Sequence, residues 1–294
     1  MQFDPPGNGG GSNPNQRCDG NGVPSQPQNP GSTLNPGDEC NGGTPTLPII
    51  EWDFTSIPCE KVKQANLKAK ALLEQKVIKD TLAKASQTVL TDQTEKGFNF
   101  GTKSDGSYTT AEIKTGAAAS VNLQPIDYTF TVIGSAHTHN GTYGYECPSA
   151  GDIATNAVYN KLNPAFVTSF VVSAGSIYNI SIIDPKKAKD FATNYPKSQH
   201  VETYPQSDEN GSWKTGSPIK TDFDNVRKKF QDQNKTDDEA GALAQAYILK
   251  KYDTGMVMSK KQPDGSFKSI FVNENKNPTD SDETIYEQTD DCNL

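Results

Sequence analysis

The chain has 294 residues, enough for one or two domains, with 28 Lys and Arg against 36 Asp and Glu and a net charge of −8 at pH 7. That balance, with no basic stripe interleaved with aromatics, argues against nucleic acid as a partner. No apolar run reaches the eighteen or so residues that a transmembrane helix needs, so no transmembrane segment is expected.

Residues 1–48 hold almost no apolar side chains and are dominated by Gly, Asn, Pro, Ser and Gln. Such a segment cannot bury enough surface to offset its ordering entropy and reads as a disordered tether. Met1-Gln2-Phe3-Asp4 is not a signal peptide. A leader of this composition directly after Met1 reads as a mature exported protein, secreted or a cell-surface lipoprotein, whose signal or lipid anchor has been replaced by a start residue. Cys18 and Cys40 can close a loop inside the tether, and the odd total of five cysteines leaves at least one unpaired. A set of reduced cytosolic thiols is the competing interpretation. The folded part is expected to begin near Leu47-Pro48-Ile49-Ile50 and the Trp52, Phe54 pair.

From Cys59 to about Val89, apolar residues at helical spacing (Val62, Ala65, Ala69, Leu72, Leu73, Val77, Ile78, Leu82, Ala85) predict one long helix, or two with a bend, whose apolar face covers a sheet. Asp105-Gly106 between two alternating runs predicts a hairpin, with Glu95 at the start of its first strand and Glu112 at its far end. Tyr128, Phe130 and Val132 lead a strand into His137-Thr138-His139. Ser149 to Leu162 reads as a helix with Ser149 as N-cap. Two apolar strands follow, Ala165 to Val172 and Ser176 to Ile183, and Asp184-Pro185 starts another helix. Residues 196–220 read as a polar loop, followed by a charged helical segment, an alanine-rich helix over about Glu239 to Lys251, and a second hairpin around Pro263-Asp264-Gly265. The acidic end, Thr279 to Leu294, is expected to fray. The helix-strand-strand-helix order predicts an α+β fold, a mixed β-sheet flanked by helices over about residues 50–195, with residues 196–294 as an accessory helix and hairpin extension.

Only three histidines occur in the chain, and two of them, His137 and His139, stand at i and i+2 at the end of a predicted strand. Alternation places both imidazoles on one face, a spacing that suits two ligands of one metal ion. Asp152 supplies a third, anionic ligand, and three protein ligands leave a fourth position for water, as in a catalytic zinc site. The bland alternatives are two polar residues on a solvent face and an ordinary helix start at Ser149-x-x-Asp152. Cys147, between these positions in sequence, is either a latency ligand, a disulfide partner of Cys59 or a buried free thiol.

The order Glu95, His137-Thr138-His139, Ser149-Ala150-Gly151-Asp152 resembles the JAMM (JAB/MPN-type) zinc metalloproteases. Glu95-Lys96-Gly97-Phe98 is similar to the bacterial branch of that family. The resemblance spans about residues 59–195 and implies a JAB-like, cytidine-deaminase-like layout and a zinc metalloprotease domain over 49–195. It implies that His137, His139 and Asp152 bind Zn2+, that Glu95 holds and deprotonates the attacking water, and that Ser149 hydrogen-bonds the oxyanion. The implied activity is hydrolysis of peptide or isopeptide bonds in a protein or peptide substrate. Asn140 stands where members usually carry Pro, and the gap from His139 to Ser149 is lengthened by Gly141-Thr142-Tyr143-Gly144-Tyr145, which changes the loop over the centre. A non-catalytic binding module of the same fold and a secretion-system cargo domain are the alternative functions.

Overall fold

The computed structural model describes residues 59–140, 146–202, 211–279, 283–290 and 292. The expected tether over 1–48, the start of the folded part at Leu47 to Phe54, the Cys18 and Cys40 loop and the 141–145 insertion lie outside them.

The fold is α+β, a mixed sheet flanked by helices. The predicted long helix is two, α1 (Cys59–Glu74) and α2 (Lys76–Ser86), separated at Gln75, whose backbone is extended. Then come β1 (Lys96–Thr102), β2 (Tyr108–Thr110), β3 (Lys114–Thr115) and β4 (Thr131–Thr138). After α3 (Ala150–Leu162) lie β5 (Thr168–Val172), β6 (Ile177–Ile182), α4 (Pro185–Asn194) and the short α5 (Lys197–His200). The remainder is α6 (Pro218–Asp232), α7 (Asp237–Lys251), β7 (Met256–Lys261), β8 (Phe267–Ser269), β9 (Phe271–Lys276) and β10 (Thr284–Thr289).

The main sheet runs β2-β1-β4-β5-β6-β7-β8, with β3 also pairing β1. Only the β4 and β5 pairing is parallel among neighbours in this order. A parallel pair needs a crossover, and α3 makes it. Both sheet faces are covered. Phe98, Phe100, Phe170 and Val172 pack with Leu72, Ile78 and Leu82 of α1 and α2. Val171, Tyr178 and Ile180 instead join α3, α4, α6 and α7 through Ile153, Phe191, Val226 and Ile248. Successive residues of β5 thus feed opposite layers, as strand alternation requires.

Both hairpin turns close as the Asp-Gly pairs predict: Gly106 and Gly265 take positive φ of 83° and 84°, and Asp105 and Asp264 accept from the backbone N–H of Ser107 and Ser266. Two expectations are corrected. Tyr128 is fully exposed rather than part of the strand; Asp127 accepts from Thr129 N–H at 2.8 Å, and this local turn delays β4 until Thr131. Thr284–Thr289, within the segment expected to fray, is a strand paired along its length with β9. Cys292 beyond it is bonded to Cys59, tying the C-terminal region to the start of α1 across 233 residues. Among the described residues, no helix is long and apolar enough to cross a membrane.

Candidate metal centre

The centre forms where β4 ends. Gly97 pairs with His137 in the antiparallel β1 and β4 ladder, and a Cβ at Gly97 would stand 3.0 Å from Ala136 O and 3.1 Å from His137 Cβ. Only glycine lets the strands approach this closely beside the histidine. Continuing the same register sets Glu95 opposite His139, and the Glu95 backbone is fixed by Glu95 N–H to Ala117 O at 2.8 Å and Gly116 N–H to Glu95 O at 2.7 Å. His139 N–H donates to Val172 O at 2.8 Å, carrying the β5 ladder past the strand end. The crossover helix α3 starts at the carboxyl end of β4 and so returns Asp152, in its first turn, to the two histidines.

The ligand atoms converge. His137 Nε2 and His139 Nε2 are 3.2 Å apart, His137 Nε2 is 3.1 Å from Asp152 Oδ1, and His139 Nε2 is 3.3 Å from Asp152 Oδ2. A tetrahedral ion with bonds of about 2.0–2.1 Å sets its ligand atoms roughly 3.3–3.4 Å apart, so the donor set fits such an ion in both chemistry and spacing. These three residues can hold a metal ion. Glu95 Oε1 lies 3.9 Å from His139 Nε2, beside the three ligands.

Asp152 is oriented by the helix start. Its Oδ2 accepts from Ser149 N–H at 2.7 Å and from the Ser149 hydroxyl at 2.8 Å, while Asp152 N–H donates to Ser149 Oγ at 3.1 Å. This reciprocal capping box leaves Oδ1 directed at His137. The Ser149 hydroxyl therefore spends its proton on Asp152 in this arrangement. Gly211, at φ +90°, packs over the same point: a Cβ there would lie 2.9 Å from Ser149 Oγ, and its carbonyl accepts from Gly151 N–H at 2.9 Å.

Burial separates the two carboxylates. It raises the pKa of Glu95 above the ordinary carboxylate range, with His139 and His137 pulling the other way. For Asp152 burial also pushes upward, but the charge of His137 and the hydrogen bonds of both histidines outweigh it and hold the group well below that range. Asp152 is thus kept as an anion for binding a cation, whereas Glu95 is set closer to proton exchange.

Glu95, His137, His139, Ser149 and Asp152 line one cleft of about 690 Å³. Its other wall comes from the segment expected to be accessory: Lys197, Trp213, Lys220, Phe223, Arg227 and Gln245 all line it. Trp213 is 1% exposed and donates from Nε1 to Gln245 Oε1 at 3.0 Å. Sequence reading missed this wall, although Trp213 is one of only two tryptophans and stands in an otherwise polar stretch. Glu112 is exposed and lines a different hollow. Cys147 is a buried free thiol. Burial, reinforced by Asp238 and Asp152, pushes its pKa up to about 12. Its Sγ would lie 3.1 Å from a Cβ at Gly241 of α7. Cys147 lines the same cleft, but it is not among the three side chains whose donor atoms cluster.

No protein-family model and no curated protein matches this chain.

Proposed function

We propose that the cleft is the active site of a zinc-dependent hydrolase of JAMM type that cleaves peptide or isopeptide bonds in a protein or peptide substrate. The single observation that supports this most is the convergence of Glu95 on His139 beside the His137, His139, Asp152 donor set, because a mere structural metal site needs no further buried carboxylate. His137, His139 and Asp152 would hold the ion. Bound there, zinc supplies Lewis acidity toward the scissile carbonyl and lowers the pKa of water.

The chain's own residues supply proton transfer. Glu95 accepts the proton of the attacking water as its oxygen bonds to the carbonyl carbon. It then returns that proton to the leaving nitrogen as the C–N bond breaks, so no other reactant is consumed. The raised pKa of Glu95 suits both halves of this exchange. Ser149 holds Asp152 in its binding orientation. Rotation of its hydroxyl toward the carbonyl exchanges that bond for one to the developing oxyanion. The Cys59–Cys292 bond is in keeping with an oxidising compartment, and so with export.

The test is cleavage of a mixed peptide library by the full chain with added zinc, followed by mass spectrometry. Zinc-dependent products that vanish with chelator and with Glu95→Gln are expected. Zinc binding without any product would instead favour the binding-module reading.

A further inference from the structure

Lys197 opens α5, lines the cleft and is half-buried. Its Nζ donates to Thr155 Oγ1 at 2.7 Å. Thr155 follows Asp152 by three residues on α3, so it sits on the same side of the helix about 4.5 Å further along. Among the described residues, no carboxylate lies within ion-pair distance of this ammonium, and Asp152 is felt only at longer range. The other two Lys and Arg side chains of the cleft are engaged: Lys220 pairs with Asp224 and Arg227 with Asp237. An ammonium has three donors, and Thr155 takes one. A partly desolvated charge is costly unless it is paired, and burial lowers the Lys197 pKa accordingly. An acceptor of opposite charge entering the cleft offsets that cost.

Resting on the hydrolase reading of the same cleft, we propose that Lys197 binds a carboxylate of the substrate about one residue from the bond that is cut. The rise of about 4.5 Å from Asp152 to Thr155 is of the order of the Cα to Cα step of about 3.8 Å. The favoured substrates are then peptides that end in, or carry, an acidic group at that place.

The experiment uses the zinc-loaded full chain and one N-acetylated peptide in three forms: free acid, C-terminal amide, and amide with Asp as the last residue. Cleavage is followed kinetically, and binding of the same peptides to Glu95→Gln protein is measured by calorimetry. A carboxylate-bearing form is expected to surpass the neutral amide by roughly 10- to 100-fold, through KM rather than kcat. Lys197→Met should erase that advantage and Lys197→Arg should keep it. Whichever charged form leads identifies the source, the chain terminus or an acidic side chain. Equal treatment of the neutral amide and both charged forms by the wild-type protein overturns the proposal. So does a Lys197→Met protein that loses thermal stability and keeps the preference. Lys197-dependent binding with no hydrolysis sinks the hydrolase reading and leaves the carboxylate site standing; hydrolysis without charge preference does the reverse.

Discussion

The two walls of the cleft are built differently. One consists of the ends of β1 and β4 and the start of α3, where ladder hydrogen bonds and a capping box lock Glu95, His137, His139 and Asp152 into short mutual distances. The other consists of α5, α6, α7 and the Trp213 segment, and offers cations and a buried aromatic. The first wall concentrates anionic and imidazole donors that suit a metal and a proton acceptor. The second carries Lys197, to which the proposal above gives an anionic ligand. Under the proposed function, chemistry and recognition fall to separate elements, and each can be changed without the other.

The sharpest way to separate them is Glu95→Gln, which keeps shape and cannot accept a proton. Turnover should fall roughly 10²- to 10⁴-fold with bound zinc unchanged, as measured by steady-state cleavage and metal content on one preparation. Ser149→Ala acts within the same wall at one remove. Losing the hydroxyl bond to Asp152, with the N–H bond from residue 149 kept, should weaken zinc about 10- to 100-fold, and losing the cap should cost about 0.5–2 kcal/mol of stability, read by zinc titration and urea melts. On the opposite wall, Trp213→Phe leaves Gln245 Oε1 without its donor. Stability should drop by about 1–3 kcal/mol with zinc affinity intact; a parallel loss of zinc would join the two walls. The smallest effect concerns Cys147. With its thiol pKa pushed up to about 12 by burial, it stays protonated at pH 8, so peptide mapping should find it unmodified by iodoacetamide in native protein and modified after denaturation.

The donor set was legible in the sequence because strand alternation and a helix start obey local rules: His137 and His139 share a face, and Ser149-x-x-Asp152 marks an N-terminus. The α+β class was legible from the same periodicities, and both Asp-Gly turns from their backbone demands. The second wall was not. Lys197 is placed by its contact with Thr155 of α3 and Trp213 by its bond to Gln245 of α7, and nothing local in the residues after 195 encodes those long-range contacts. The Cys59–Cys292 bond was hidden for the same reason, since a separation of 233 residues leaves connectivity open. Thr284–Thr289 was misread because an acidic, polar strand carries little hydrophobic alternation, and its partner β9 supplies the order instead.

The central claim is that His137, His139 and Asp152 form one metal site. It is tested most directly by the zinc stoichiometry of the full chain, purified without added metal and measured by mass spectrometry of the metal. The expected result is about one zinc per chain, retained by Glu95→Gln and lost or greatly weakened in His137→Ala, His139→Ala and Asp152→Ala. A chain that takes up no zinc at neutral pH, or that keeps a full equivalent in all three ligand variants, contradicts the account.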